Sequence, residues 1–134
     1  MAEHEIASLG AAEAEILKIV WELKEGTVQQ IWEKLPPDRL ITSATVQTVL
    51  RRLREKGYVK STVAGKAHVF SAAIKPERVI AKTVDDLVGR FFDGDAVPLV
   101  MHLAKNRQID KGDLLRLQEL LKKQTSQKAT KSEK

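Results

Sequence analysis

Near the middle of the chain the sequence runs Thr42-Ser-Ala-Thr-Val-Gln-Thr-Val-Leu-Arg-Arg-Leu-Arg-Glu-Lys-Gly57. This segment predicts one amphipathic helix, because its large aliphatic residues recur at helical spacing. They are Val46, Val49, Leu50 and Leu53. Ser43 or Thr42 can cap the first free amides, and Gly57 supplies a stop. The opposite face is small and polar at its beginning and basic at its end.

Two helices are predicted before this segment. Residues 9–24 place aliphatic side chains on one stripe, which predicts a first helix that ends near Gly26. Thr27 is placed to cap a second, shorter helix. Pro36-Pro37 ends that helix, because proline lacks the amide that a helix needs and restricts the residue before it.

A hairpin is predicted after Gly57. Residues 58–63 and 67–72 are rich in β-branched and aromatic side chains and flank Ala64-Gly-Lys66. Three helices followed by a basic hairpin predict a winged helix-turn-helix domain over residues 1–75. The predicted fold class is therefore mainly α with a small β-hairpin.

Longer apolar helices are predicted beyond Pro76, which suits a first helical turn. Three such helices in about 45 residues are too few for an independent monomeric core. We therefore predict a helical dimerisation domain over residues 76–123, with packing back onto the winged helix as the alternative. Residues 124–134 predict a disordered lysine-rich tail. The predicted dimer contacts are Ile80, Val84, Leu87, Val88, Phe91, Leu99, Leu103, Leu114, Leu117 and Leu121.

Charge is distributed unevenly along the chain. Residues 1–35 carry three basic and seven acidic side chains, a net charge of −4, whereas residues 51–68 carry six basic and one acidic, a net charge of +5. Such polarity steers one face of a protein toward a polyanion. A merely solvated helix end is the alternative explanation.

Several function classes find no support in the sequence. The chain has no cysteine, which excludes disulfides, thiolate metal sites and cysteine nucleophiles. Its three histidines have no shared helical face, so we expect no metal site, no cofactor and no catalytic residue. No apolar run approaches the roughly 20 residues that span a bilayer. We expect a cytoplasmic protein without membrane insertion.

Double-stranded DNA is the partner that this pattern favours. The first turns of an inserted helix contact bases, which predicts a base-proximal set of Ala44, Thr45, Gln47 and Thr48. Basic and polar groups around it predict phosphate contacts. These are Ser43, Arg51, Arg52, Arg54, Lys60, Lys66 and His68. Arg52 could instead pair with a glutamate of the first helix, and the whole surface could instead bind a protein partner.

Two motifs resemble the penicillinase-repressor family of winged-helix transcriptional repressors. They are Leu9-Gly-Ala-Ala-Glu-Ala-Glu-Ile-Leu-Lys-Ile-Val-Trp21 and Thr45-Val-Gln-Thr-Val-Leu-Arg-Arg-Leu-Arg-Glu-Lys-Gly57. The resemblance implies a homodimeric repressor on a palindromic operator, with no enzymatic activity. It also implies relief of repression by loss of dimerisation.

Two departures from the family pattern bear on regulation. The copper-responsive branch ends in a cysteine-rich metal motif, and this chain has no cysteine. Antibiotic-responsive members are cut at an Asn-Phe bond by a membrane-bound sensor metalloprotease, and the matching place here is His102-Leu103. Ala44 and Gln47 stand where relatives have a basic residue, which implies a different operator sequence.

Overall fold

A computed structural model describes the backbone of residues 9–132 and the side chains of residues 9–124. The chain is mainly helical, with one small antiparallel sheet, as the sequence predicts. Its elements in chain order are α1 (Ala11–Leu23), β1 (Glu25–Gly26), α2 (Val28–Glu33), α3 (Ser43–Glu55), β2 (Val59–Ala64), β3 (Ala67–Ala72), α4 (Pro76–Phe91), α5 (Val97–Lys105) and α6 (Lys111–Ser132).

Both ends of α3 are fixed by local hydrogen bonds. The hydroxyl of Thr42 accepts a bond from the Thr45 amide at 3.2 Å, so Thr42 and not Ser43 is the cap. At the other end the Gly57 amide donates to the Arg54 carbonyl and the Tyr58 amide donates to the Leu53 carbonyl. This pair of bonds needs a left-handed residue after the helix, and Gly57 has a φ of 88°.

The sheet has three strands, whereas the sequence predicted a two-stranded hairpin. β2 and β3 pair antiparallel along their full lengths across the turn at Gly65, and the predicted hairpin is confirmed. The additional strand is β1, in which Glu25 pairs with Ser71 and Gly26 pairs with Phe70. A strand of two residues carries no alternating pattern, so only the pairing partner reveals it.

The core of the first compact unit lies where α1, α2, α3 and the sheet meet. Ile16, Val20, Ile31, Leu50 and Leu53 have essentially no exposed surface. The aliphatic stripe predicted for α3 is buried in this core. Val79 of α4 joins the same core, although it lies beyond the boundary predicted at residue 76. The first compact unit ends at Val84, inside α4, and the domain boundary at residue 76 stays a prediction.

The second compact unit begins at Asp85. None of its described side chains, from Asp85 to Gln124, is buried. Its last helix, α6, starts with a reciprocal cap, since the amides of Asp110 and Asp113 each donate to the carboxylate of the other, at 3.0 and 2.8 Å. The helix continues to Ser132, which includes most of the segment predicted to be disordered, residues 124–134, and residues 133–134 lie outside the described part. Across residues 9–132, no helix is long and apolar enough to cross a membrane.

Candidate nucleic-acid interface

The outward ridge of α3 follows from which of its faces is buried. The buried stripe of Val46, Val49, Leu50 and Leu53 occupies one side of the helix. Residues spaced by three or four positions share a helix face, so the opposite ridge consists of Ala44, Thr48, Arg51 and Glu55. Of these only Thr48 is partly covered. The amino-terminal end of the ridge therefore carries the small side chains of Ala44 and Thr48, and Arg51 lies one turn after Thr48.

The hydroxyls of both threonines on α3 are engaged within the helix. Thr48 donates its hydroxyl to the carbonyl of Ala44 at 3.1 Å. The hydroxyl of Thr45 lies 3.2 Å from that of Thr42, which also caps the helix. Thr48 therefore cannot donate its hydroxyl proton to a ligand, although both threonines keep their methyl groups and a hydroxyl oxygen that can accept. Gln47 is exposed, and no described residue is hydrogen-bonded to its amide.

One flank of α3 borders an open cleft of about 550 Å³. The cleft lies between α3, the amino-terminal end of α2 and the wing formed by β2 and β3. Polar, cationic and apolar residues line it together, namely Thr27, Val28, Gln29, Gln47, Arg51, Arg54, Ala67, His68 and Phe70. Arg54 also donates to the hydroxyl of Ser61 at 3.3 Å, which ties α3 to the wing. The cleft therefore brings together three residues predicted as phosphate contacts: Arg51, Arg54 and His68.

The other flank of α3 is tied to α1 by a carboxylate that sequence reasoning did not single out. Glu13 is only 5% exposed and accepts bonds from the Gly10 amide at 2.8 Å and from the Lys56 ammonium at 2.7 Å. Burial by itself raises the pKa of Glu13, but the Gly10 amide, Lys56 and the nearby Arg52 together lower it below its ordinary value. The carboxylate is thus ionised and links the start of α1 to the end of α3.

Arg52 lies on this α1 side of α3. Its side chain is exposed, and its positive charge contributes to the lowered pKa of Glu13, while Lys56 makes the direct ion pair. The ion pair that Glu13 makes is with Lys56, so the pairing of Arg52 with a glutamate of the first helix stays a prediction. The structural role of Glu13 could have been predicted from the sequence, because Glu13 is the third residue of α1, where a carboxylate caps the helix.

The turn that leads into α3 is anchored by two side chains. Arg39 forms an ion pair with Glu15 of α1 at 2.7 Å, and the indole of Trp32 donates to the carbonyl of Ile41 at 2.8 Å. Both bonds fix the approach of the chain to the Thr42 cap. The sequence predicts that turn but not these anchors, because the partners are far apart along the chain.

The remaining predicted phosphate contacts are spread along α3 and the wing. Lys60 is an exposed residue of β2, and Lys66 is exposed at the tip of the hairpin. Ser43 is half-buried in the first turn of α3. Neither lysine lines the cleft, so the structure does not gather all the predicted phosphate contacts into one site. The described residues contain no cluster of histidine and carboxylate side chains that could hold a metal ion.

The residues predicted to form a dimer lie on α4, α5 and α6. Among the large apolar side chains there, Phe91 is 72% exposed and Leu121 is 61% exposed. Val88, Leu99 and Leu103 are half-buried, and the other predicted contacts are exposed. The bond between His102 and Leu103 lies inside α5, where the side chain of Asn106 donates to the His102 carbonyl at 2.9 Å.

Comparison with known proteins identifies the family of the chain. The sequence pattern of the penicillinase repressor family matches residues 9–123. The chain belongs to the penicillinase repressor family. As a member of this family it is a DNA-binding transcriptional repressor and not an enzyme.

Individual relatives align with this chain over most of their length. The chain is 23% identical to a penicillinase repressor from Staphylococcus aureus, over 84% of this chain and 90% of that protein. It is also 23% identical to a penicillinase repressor from Bacillus licheniformis, over 92% of this chain and 96% of that one. A solved structure of a MarR mutant from E. coli shares the fold, with a TM-score of 0.51 and 18% identity over 87% of this chain and 77% of that one.

Proposed function

We propose that this family member acts as a homodimer that inserts α3 of each protomer into the major groove of a palindromic operator in the cytoplasm. The observation that carries the proposal is the arrangement around α3. A ridge of small and polar side chains occupies its first turns, and Arg51 and Arg54 follow beside the wing. Small groups suit contact with base edges, and arginines suit phosphates.

Base contacts are assigned to Ala44, Thr45, Gln47 and Thr48. The free amide of Gln47 has the donor and acceptor that pair with adenine in the major groove. Phosphate contacts are assigned to Arg51, Arg54 and His68 in the cleft and to Lys60 and Lys66 on the wing. Arg52 and Ser43 complete the predicted set, but Arg52 has the second task of balancing Glu13.

Dimerisation is assigned to the unit that begins at Asp85. It exposes large apolar side chains and buries none of those described. A solvent-exposed apolar area of this kind is typical of a surface that another chain covers. Two copies would then present two α3 helices to half-sites about one helical turn of DNA apart.

Loss of dimerisation is the proposed route to relief of repression. A cut between His102 and Leu103 would break α5 in its last turns and divide the apolar surface that dimerisation uses. The enzyme for such a cut would be a membrane-bound sensor metalloprotease. This step is tested by incubating the full chain with that protease and sequencing the fragments. Release of the operator while the bond between His102 and Leu103 stays intact would contradict it.

DNA binding is tested with the full chain on a duplex selected from a random library. Replacement Arg51→Gln should weaken binding at low salt and lower the salt slope by about 1 per protomer, because one phosphate contact is lost. The matched control is Arg78→Gln, which removes an exposed arginine of α4 that does not line the cleft, and it should leave the salt slope unchanged. Failure to enrich any duplex would contradict sequence-specific binding and leave a protein partner as the ligand of this surface.

A further inference from the structure

Ala44 and Thr48 form an apolar spot on the outward ridge of α3. The two residues lie one turn apart, and Ala44 is exposed. The side chain of Ala44 is a methyl group. The hydroxyl of Thr48 donates its proton to the Ala44 carbonyl at 3.1 Å, so it can accept a hydrogen bond from a ligand but not donate one, and the γ-methyl is the other group that Thr48 offers.

The flanks of this spot are polar. Gln47 carries a free amide on the cleft side, and the hydroxyl of Thr45 is bonded toward Thr42 on the other. Arg51 follows on the ridge at the next turn. The centre of the predicted base-proximal surface is therefore apolar, although its neighbours Gln47, Thr45 and Arg51 all carry hydrogen-bonding groups.

An apolar spot favours one group on the base edges of the major groove. All four bases present hydrogen-bond donors or acceptors there, and thymine adds a C5-methyl beside its O4 acceptor. A donor or acceptor pressed against two methyl groups loses water without gaining a partner, which costs free energy. We propose that Ala44 and Thr48 specify thymine by methyl contact and not by hydrogen bonding. This inference rests on the proposed insertion of α3 into the major groove.

The first experiment removes the methyl from the DNA. The full chain selects its duplex from a random library, and each thymine of the selected half-site is then replaced by uracil, which lacks only the C5-methyl. Replacement at the contacted position should weaken binding about 4-fold in one half-site, since one buried methyl group contributes roughly 0.8 kcal/mol. Replacement in both half-sites of a dimer should weaken it roughly 16-fold.

The second experiment separates the methyl from the hydroxyl in the protein. Thr48→Val keeps a methyl and removes the hydroxyl, and it should bind within about 2-fold of the unchanged chain. Thr48→Ser keeps the hydroxyl and removes the methyl, and it should bind about 4-fold more weakly per half-site. Uracil at the contacted position should weaken binding of the Thr48→Ser chain by less than it weakens the unchanged chain, because only the Ala44 methyl is left to contact the thymine methyl. Thermal unfolding of both variants verifies that the fold is retained.

The outcomes distinguish this inference from the proposed function. If no duplex is enriched, operator binding itself is contradicted and the inference falls with it. If a duplex is enriched but uracil replaces every thymine without loss of affinity, only the methyl contact is contradicted. A Thr48→Val chain that binds as weakly as the Thr48→Ser chain would show that the hydroxyl makes the contact, and would also overturn the inference.

Discussion

The two compact units of the chain use their aliphatic side chains in opposite ways. In the unit that ends at Val84, residues such as Leu50 and Leu53 have no exposed surface. In the unit that begins at Asp85, none of the described side chains is buried, although valine and leucine recur along α5 and α6. The first unit closes a core within one chain, whereas the second has a surface suited to a partner chain.

The largest expected effect is on the buried core of the first unit. Leu53→Ala should lower the free energy of unfolding by about 3 kcal/mol, because it removes a fully buried side chain at the centre of the first unit. Urea denaturation measures this loss. Leu40→Ala is the control, since Leu40 is 95% exposed, and it should change the free energy by less than about 0.5 kcal/mol. An equal loss of unfolding free energy at the two positions would show that burial does not distinguish these leucines.

The next effect tests the exposed surface of the second unit. Phe91→Asp should weaken dimerisation by about 2 kcal/mol, or roughly 30-fold, because it places a charge in an apolar interface. Sedimentation of the full chain at several concentrations measures the shift. Gln108→Asp adds the same charge at an exposed polar position of the same unit and should leave the oligomeric state unchanged. A chain that remains equally associated with both substitutions would show that Phe91 is not in the interface.

The smallest effect concerns the ion pair inside the first unit. Glu13→Gln should lower the free energy of unfolding at neutral pH by about 1 to 2 kcal/mol, because it removes the charge that binds Lys56. The lowered pKa of Glu13 fixes the pH dependence. The ionised carboxylate stabilises the folded chain above its ordinary pKa, and this contribution is lost as the pH falls through the folded pKa.

Denaturation of the unchanged chain and of Glu13→Gln at a series of pH values measures this dependence. The difference between them should be largest at neutral pH and should shrink in acid. A difference that stays constant across the series would show that packing, and not charge, accounts for the role of Glu13.

Much of the outward face of α3 was predictable from the sequence. Helical spacing alone separated Val46, Val49, Leu50 and Leu53 from the exposed face, and the structure buries all four. Spacing did not reveal that Gln47 lines a cleft with His68, because that neighbour comes from β3. It also did not reveal that Thr48 bonds to the Ala44 carbonyl, since a threonine hydroxyl can face either water or the backbone.

The sequence by itself determined the local features of this protein. Periodicity, caps and stops depend on neighbours within a few residues, so α3, its Gly57 stop and the β2–β3 hairpin follow from the order of amino acids. The tertiary structure decided the features that join distant segments. Among these are the pairing of β1 with β3, the bond from Glu13 to Lys56 and the entry of Val79 into the first core. Such contacts form between residues far apart in the chain, and their geometry exists only after the helices have packed.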